Sequence, residues 1–143
     1  MDSYGSSPKQ DESKILESEN PYLIGPSRLI DVMAAIQFLG TYRYYKVGFD
    51  YWHDRIKTEP RSACTWEEIF RQHPEFFRVN EDEKNVCLIL RRARSKNFDV
   101  RSEEIVSPEE RDGLPKHRFS RAPLSTSDVS TLVNAARQLL RGH

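Results

Sequence analysis

Residues 65–92 read TWEEIFRQHPEFFRVNEDEKNVCLILRR, and the order of signals in this stretch decides the fold. Thr65 followed three residues later by Glu68 fits a capping box, in which the threonine hydroxyl accepts from an orphan amide of the first helical turn. Trp66, Ile69, Phe70 and His73 then line one helical face. Pro74 has no amide to donate and restricts the residue before it, so the regular helix should stop near Gln72. Phe76–Val79 and Val86–Arg92 are rich in aromatic and aliphatic residues, and the polar run Asn80–Asn85 separates them. Two such runs around a short polar turn predict a β-hairpin.

Upstream, Leu29, Val32 or Met33, Ile36 and Leu39 recur at helical spacing and predict a helix from Arg28 to Leu39. Ser27 is placed to cap it, and Gly40 to end it in a left-handed residue. The aromatic and β-branched run Thr41–Val47 predicts a short strand. A second helix is expected from Tyr51 to Lys57, with Asp50 as cap and Phe49, Trp52 and Ile56 on one face. Lys57–Ala63 contains Pro60 and reads as a loop. Residues 1–20 are polar and read as disordered, and Pro21–Pro26 is a short apolar lead-in to a domain spanning 21–96. Residues 97–124 are broken up by Pro108, Gly113, Pro115 and Pro123 and read as a linker, with room for a short strand at Asn97–Arg101. In 125–143, Ser125–Asp128 offers a further capping box for a final helix from Thr126 to Arg141. Val129, Leu132, Val133, Ala136 and Leu140 make its apolar stripe.

The expected order is helix, short strand, helix, helix, hairpin. That is an α+β arrangement of the winged-helix kind: three helices plus a β-hairpin, with an additional C-terminal amphipathic helix. The second and third helices would form a helix-turn-helix and the tip at Asn80–Asn85 the wing. Trp52, Trp66, Phe70, Phe76 and Phe77 would supply most of the buried area, at roughly 150–250 Å² each. The chain also resembles a set of small uncharacterised bacterial proteins. The residues that carry this are Gly40-Thr41-Tyr42 with Tyr45-Lys46, Trp52 with Ile56, His73-Pro74-Glu75-Phe76-Phe77-Arg78, and Arg118 through Leu124. Some of those proteins bear the label of N-carbamoyl-amino-acid hydrolases. Such hydrolases are large metal-dependent enzymes whose ligand clusters this chain lacks, so the resemblance implies the fold and no activity.

The 143 residues carry 22 basic and 22 acidic side chains, for a net charge of zero. A protein that coats DNA usually shows a basic excess. Two cysteines, Cys64 and Cys87, are too few for a disulfide scaffold. The first residues lack a signal peptide's basic region and apolar run, and the longest aliphatic run, Val86–Leu90, is far short of a membrane span, about 20 residues. A reduced cytoplasmic protein is therefore expected. His53, His73, His117, His143 and the cysteines show none of the spacings of a zinc site. Serine stands in no nucleophile elbow and glycine in no phosphate loop. Cys64, just before a helix start, has no evident His-Asp partner, and Cys87 reads as a core thiol. The sequence thus predicts no catalytic residue, no metal ligand and no cofactor.

Two binding readings stand. In one, the protein is an adaptor or regulatory component that meets a protein partner, or a second copy of itself, through Val129, Leu132, Val133, Ala136 and Leu140. The stripe's other use is to fold back onto the first helix or the hairpin. In the second reading the protein is a DNA- or RNA-binding regulator. Its contacts would be Arg43, Lys46, Arg71, Gln72, Arg91, Arg92, Arg94 and Lys96, with Tyr44 or Phe98 stacking on bases. Against duplex reading, the exposed side of the third helix, with Glu67 and Glu68, and the turn Glu81–Lys84 are acidic. No membrane partner is expected.

Overall fold

The structure, a computed structural model, describes residues 25–141 and two extended dipeptides, Asp2–Ser3 and Gly5–Ser6. Apart from those dipeptides, the disordered stretch expected at 1–20 lies outside the described residues, as do 21–24 of the apolar lead-in and the last two residues.

Helix α1 spans Pro26–Thr41. It starts two residues before the expected Arg28, because Pro26 sits in the first turn, where its missing N–H would be unsatisfied anyway. Gly25, at φ 104°, takes the cap position foreseen for Ser27. Val32, Ala35, Ile36 and Leu39 form its buried face. Gly40 does not end the helix. It is where another helix comes close: a Cβ there would lie 3.3 Å from Val129 Cγ2.

Strand β1 is Lys46–Gly48, helix α2 Phe49–Ile56 and helix α3 Trp66–Gln72. Lys57 ends α2 in the left-handed conformation at φ 64°. Thr65 caps α3 as expected, accepting from Glu68 N at 3.2 Å, and α3 ends before His73 and Pro74. The hairpin follows as β2, Phe77–Asn80, and β3, Asn85–Leu88. The three strands are antiparallel with β3 in the middle. Val47, Val86 and Val79 stand opposite one another and face the helices, whereas Lys46, Cys87 and Arg78 make the adjacent row. Side chains alternate along a strand, so that second row lies on the other face of the sheet.

Two strands are shorter than expected. Thr41–Val47 is cut to its last residues because the backbone at 43–45 bonds elsewhere: Ser120 Oγ donates to Arg43 O at 2.8 Å and accepts from Tyr45 N at 2.9 Å. The run Val86–Arg92 leaves the sheet after Leu88 and becomes helix α4, Ile89–Arg94.

Residues 97–124 are not a plain linker. The strand foreseen there exists as β4, Asn97–Asp99, and it is the centre of a second antiparallel sheet. Its neighbours are β5, Glu104–Ile105, and β6, Phe119–Arg121. Helix α5, Pro108–Asp112, carries a full capping box between Ser107 and Glu110. A 3-10 turn at Lys116–Arg118 leads into β6. The proline-rich composition hid this sheet because each of its strands is three residues or fewer, too short to show a period.

Helix α6, Thr126–Arg141, is capped by Ser125 Oγ, which accepts from Asp128 N at 3.1 Å. It lies along α1. Among the described residues there are thus six α-helices and two small three-stranded sheets, an α+β fold. The core centres on Trp52, which meets Phe38, Trp66 and Phe70 edge-on with ring centroids 5.1–5.2 Å apart. Edge-to-face pairs contribute about 0.5–1.5 kcal/mol each beyond their area burial.

Because Ala136 on α6 is 0% exposed against this core, Ala136→Asp is expected to lower stability by about 3–5 kcal/mol, as an uncompensated buried charge does. Thr131→Asp, on the exposed side of the same helix, should stay within about 0.5 kcal/mol. Chemical denaturation followed by circular dichroism checks both, and should show one cooperative transition for the wild type.

Candidate binding surface

The apolar stripe of α6 is occupied from within. Val133, Ala136 and Leu140 are buried in the core, and Val129 and Leu132 are half-buried against it. The stripe foreseen as a partner-binding face is therefore spent on α1, the other use that the sequence allowed.

The expected nucleic-acid residues divide into three groups. Arg91 is a correction: it is 0% exposed and cannot reach a phosphate. Its guanidinium donates to Leu39 O at 2.9 Å, Arg43 O at 3.1 Å and Arg121 O at 2.8 Å. Burial pulls its pKa down to about 10, which leaves it charged at neutral pH. Arg71 and Gln72 are engaged locally. Arg71 makes a two-pronged bond to Glu81 at 2.8 and 2.9 Å, and Gln72 Oε1 accepts from Arg28 at 2.7 Å. Arg43, Lys46, Arg92, Arg94 and Lys96 are exposed. Of the two rings proposed for stacking, Tyr44 is half-buried and its hydroxyl donates to His117 O at 2.9 Å, while Phe98 is buried.

The structure gathers part of the exposed group. Lys46, Cys87 and Arg78 are cross-strand neighbours on the outer face of the first sheet. The Cys87 thiol is pushed up by burial, and Arg92, Arg78, Lys46 and Arg91 act on it in the opposite direction. Lys46 and Arg78 are exposed and stand opposite Cys87 across the two strand pairs, and Arg92 is exposed on α4. Lys46 also lies 3.8 Å from Glu83. Arg78 was legible in the strand alternation, since Phe77 and Val79 point inward, but only the register places it beside Lys46.

Beside this row lies a cleft of about 340 Å³ lined by Tyr42, Arg43, Tyr44, Lys46, Val47, Gly48, Tyr51 and Arg55. It holds three tyrosines and three cations and no carboxylate. Arg43 lies 5.6 Å from the centre of the Tyr44 ring and Arg55 lies 4.8 Å from that of Tyr51. The Tyr42 and Tyr51 hydroxyls bond to each other, and that bond is the main reason the Tyr51 hydroxyl is pushed up. Tyr51 and Arg55 were recognisable in the sequence as a pair four residues apart on one helix.

The opposite arrangement holds at α3. A larger cleft of about 670 Å³ has Asp50, Glu67, Glu81 and Glu83 in its lining against Arg71 and Lys84. Glu67 also meets His53 Nε2 at 2.9 Å.

The densest polar cluster is internal. Arg28 Nε donates to Ser62 Oγ at 2.7 Å, and Ser62 Oγ donates to Asp31 Oδ2 at 2.5 Å. Asp31 also accepts from the amides of Arg61 and Ser62 at 3.0 and 2.8 Å. Arg28 Nη1 lies 3.1 Å from His73 Nε2, and His73 Nδ1 lies 3.2 Å from Glu75 Oε2. Arginine has only donors, so Nε2 accepts and the ring proton sits on Nδ1, facing Glu75. Ser62 bonds to Asp31 and Arg28, so this is no nucleophile-base relay. It pins the loop between α2 and α3 to the start of α1. Among the described residues, no group of three or more His, Cys, Asp and Glu could hold a metal ion, and no helix is long and apolar enough to cross a membrane. No family model, curated protein or solved structure matches this chain.

Burial lowers the His73 pKa, Glu75 opposes that, and Arg28 adds to it, with a net downward shift. An unfolded histidine titrates near 6.5. The unfolded chain then binds the proton first, so this contribution is full above about pH 6.5 and is lost as pH falls through the lowered value. His73→Gln should flatten the decline of the denaturation midpoint below pH 6.5; an unchanged slope would trace it to other groups. For Arg91, replacement by Met removes its bonds to the Leu39, Arg43 and Arg121 carbonyls, of which Arg43 O still accepts from Ser120 Oγ; a buried acceptor left unsatisfied costs about 1–3 kcal/mol. A loss of about 1–3 kcal/mol is expected, against less than about 0.5 kcal/mol for the exposed neighbour in Arg92→Gln, both read by urea titration.

Proposed function

We propose that this chain is a non-catalytic, winged-helix-like binding module whose partner is a polyanion, with nucleic acid as the class its surface fits best. The element order α1-β1-α2-α3-β2-β3, with β3 between β1 and β2, supports the winged-helix reading. The Arg28–Asp31–Ser62 cluster bonds within itself and to the amides of the α2–α3 loop, which suits a structural role for these groups.

One observation carries the choice of partner. Lys46 and Arg78 flank Cys87 on the outer sheet face, and Arg92 is exposed on α4, the helix that continues from β3. Among the described residues, no carboxylate forms an ion pair with Arg78, Arg92, Arg43 or Arg55. Exposed cations, Lys46 with its 3.8 Å pair to Glu83 and the others without an ion pair among the described residues, suit a chain of phosphates, which positions the partner without reading sequence. The helix that would enter a major groove, α3, borders the acidic cleft instead, so contact through the sheet face is favoured over groove reading.

Fluorescence anisotropy with labelled oligonucleotides tests this. Affinity for a single strand should fall with salt at a log-log slope of about −2, as expected for about three phosphates at −0.7 each. Arg78→Glu combined with Arg92→Glu should abolish binding without shifting the unfolding midpoint. If neither single nor double strands are retained at low salt, nucleic acid is excluded as the partner. Retention of polyglutamate alone would instead mark the face as a dock for an acidic protein segment, the adaptor reading.

A further inference from the structure

We infer that the cleft between the segment 42–46 and α2 is a seat for one unpaired nucleobase, which makes single strands the preferred form of the polyanion; this rests on the nucleic-acid reading above. The cleft's chemistry is the argument. Its rings, Tyr42, Tyr44 and Tyr51, are half-buried and line the cleft, with Arg43 5.6 Å from the centre of the Tyr44 ring and Arg55 4.8 Å from that of Tyr51. Tyr42 stacks on Phe38 with centroids 5.3 Å apart and an interplanar angle of 11°, which fixes it from behind. The bond between the Tyr42 and Tyr51 hydroxyls ties the second ring to the first. Tyr44 is held by its bond to His117 O. Aromatic rings already immobilised lose little freedom on stacking with a base. The volume, about 340 Å³, falls at the lower end of small-ligand pockets, about 300–1,000 Å³.

Charge selects the same ligand. Arg43, Lys46 and Arg55 are the lining's ionisable groups besides the tyrosines, and all are cations. Lys46 belongs to both the cleft and the outer sheet row. A strand whose phosphates contact Lys46 and Arg78 thus meets a residue that also lines the cleft, and an adjacent base can turn into it. A duplex keeps its bases stacked and must spend unpairing energy to do the same. Stacking on tyrosine is tolerant of base identity, because every base has a π-face. The seat is therefore expected to distinguish a base from no base, and not one base from another.

The test compares an oligodeoxythymidine of about ten nucleotides, within the usual span of single-strand sites, with an abasic oligomer of equal length. Both bind the full-length protein in anisotropy titrations at one low salt concentration. The base-bearing strand should bind about tenfold tighter, the size of one good stacking contact. Tyr44→Ala should erase that ratio, while Tyr44→Phe, which keeps the ring but loses the bond to His117, should preserve it. Ring-proton NMR shifts of the wild type on adding the thymidine strand give a reading that needs no variant, and should be largest at Tyr44 and Tyr51. Equal affinity for the two strands, or a ratio that survives Tyr44→Ala with those rings unshifted, overturns the base seat while the polyanion reading stands. Binding of neither strand removes both.

Discussion

The buried guanidinium of Arg91 is a central point at which the two halves of the molecule are joined. It sits on α4, just past the first sheet, and reaches a carbonyl in the last turn of α1, one in the segment leading to β1, and one on β6 of the second sheet. No carboxylate is needed. The carbonyls at a helix C-terminus carry partial negative charge and lack intrahelical partners, so the Leu39 carbonyl is a natural acceptor for a buried cation. Desolvation opposes this burial and is visible in the lowered pKa, about 10. The arrangement persists because the donors are satisfied by several backbone acceptors at once. The Arg43 carbonyl also accepts from Ser120 Oγ, so the second sheet and Arg91 hold the same peptide group.

This constraint also shapes the candidate site. The segment 42–45 would read as a strand on its own residues, and Arg91 and Ser120 take its backbone groups before a sheet can. The diverted chain lays Tyr42 and Tyr44 beside Tyr51 of α2, with ring centroids 6.0 and 5.7 Å from Tyr42. The tyrosine cleft is thus a consequence of the joint between the halves. The Arg28–Asp31–Ser62–His73 cluster fixes the α2–α3 loop in a comparable way, with Asp31 accepting from the amides of Arg61 and Ser62 and Arg28 donating to Ser62 O.

Local chemistry made the first half of the fold readable. Thr65, Pro74 and the polar turn at 80–85 act within a few residues of where they stand, and α3 and the hairpin begin and end close to where those signals fall. The same holds for Ser125 at the start of α6. What was not legible depends on distant pieces. Arg91 lies in a run that reads as strand with a basic end, and nothing nearby says that three carbonyls, the furthest 52 residues away, will bury it. Gly40 carries the composition of a helix terminus but serves as a point of close approach to Val129. The second sheet is made of strands too short for alternation to register. The candidate surface shows the same division: Arg43, Lys46 and Arg92 could be named from charge alone, whereas placing Arg78 with them required the strand register.

The charge pattern has a further consequence. The net charge is zero, yet the sign is partitioned: carboxylates line the cleft at α3 and the hairpin turn, and cations line the tyrosine cleft and the outer sheet face. Lys46 stands at the boundary, paired with Glu83 from the turn. A neutral molecule divided this way has little long-range pull on a polyanion but a strong orienting field near contact, because screening at physiological salt acts over about 8 Å. On the proposed reading, the acidic side would repel the polyanion that the sheet face attracts. Approach in the wrong orientation would thereby be disfavoured, and specificity would lie in which face is presented rather than in how strongly the whole molecule is drawn.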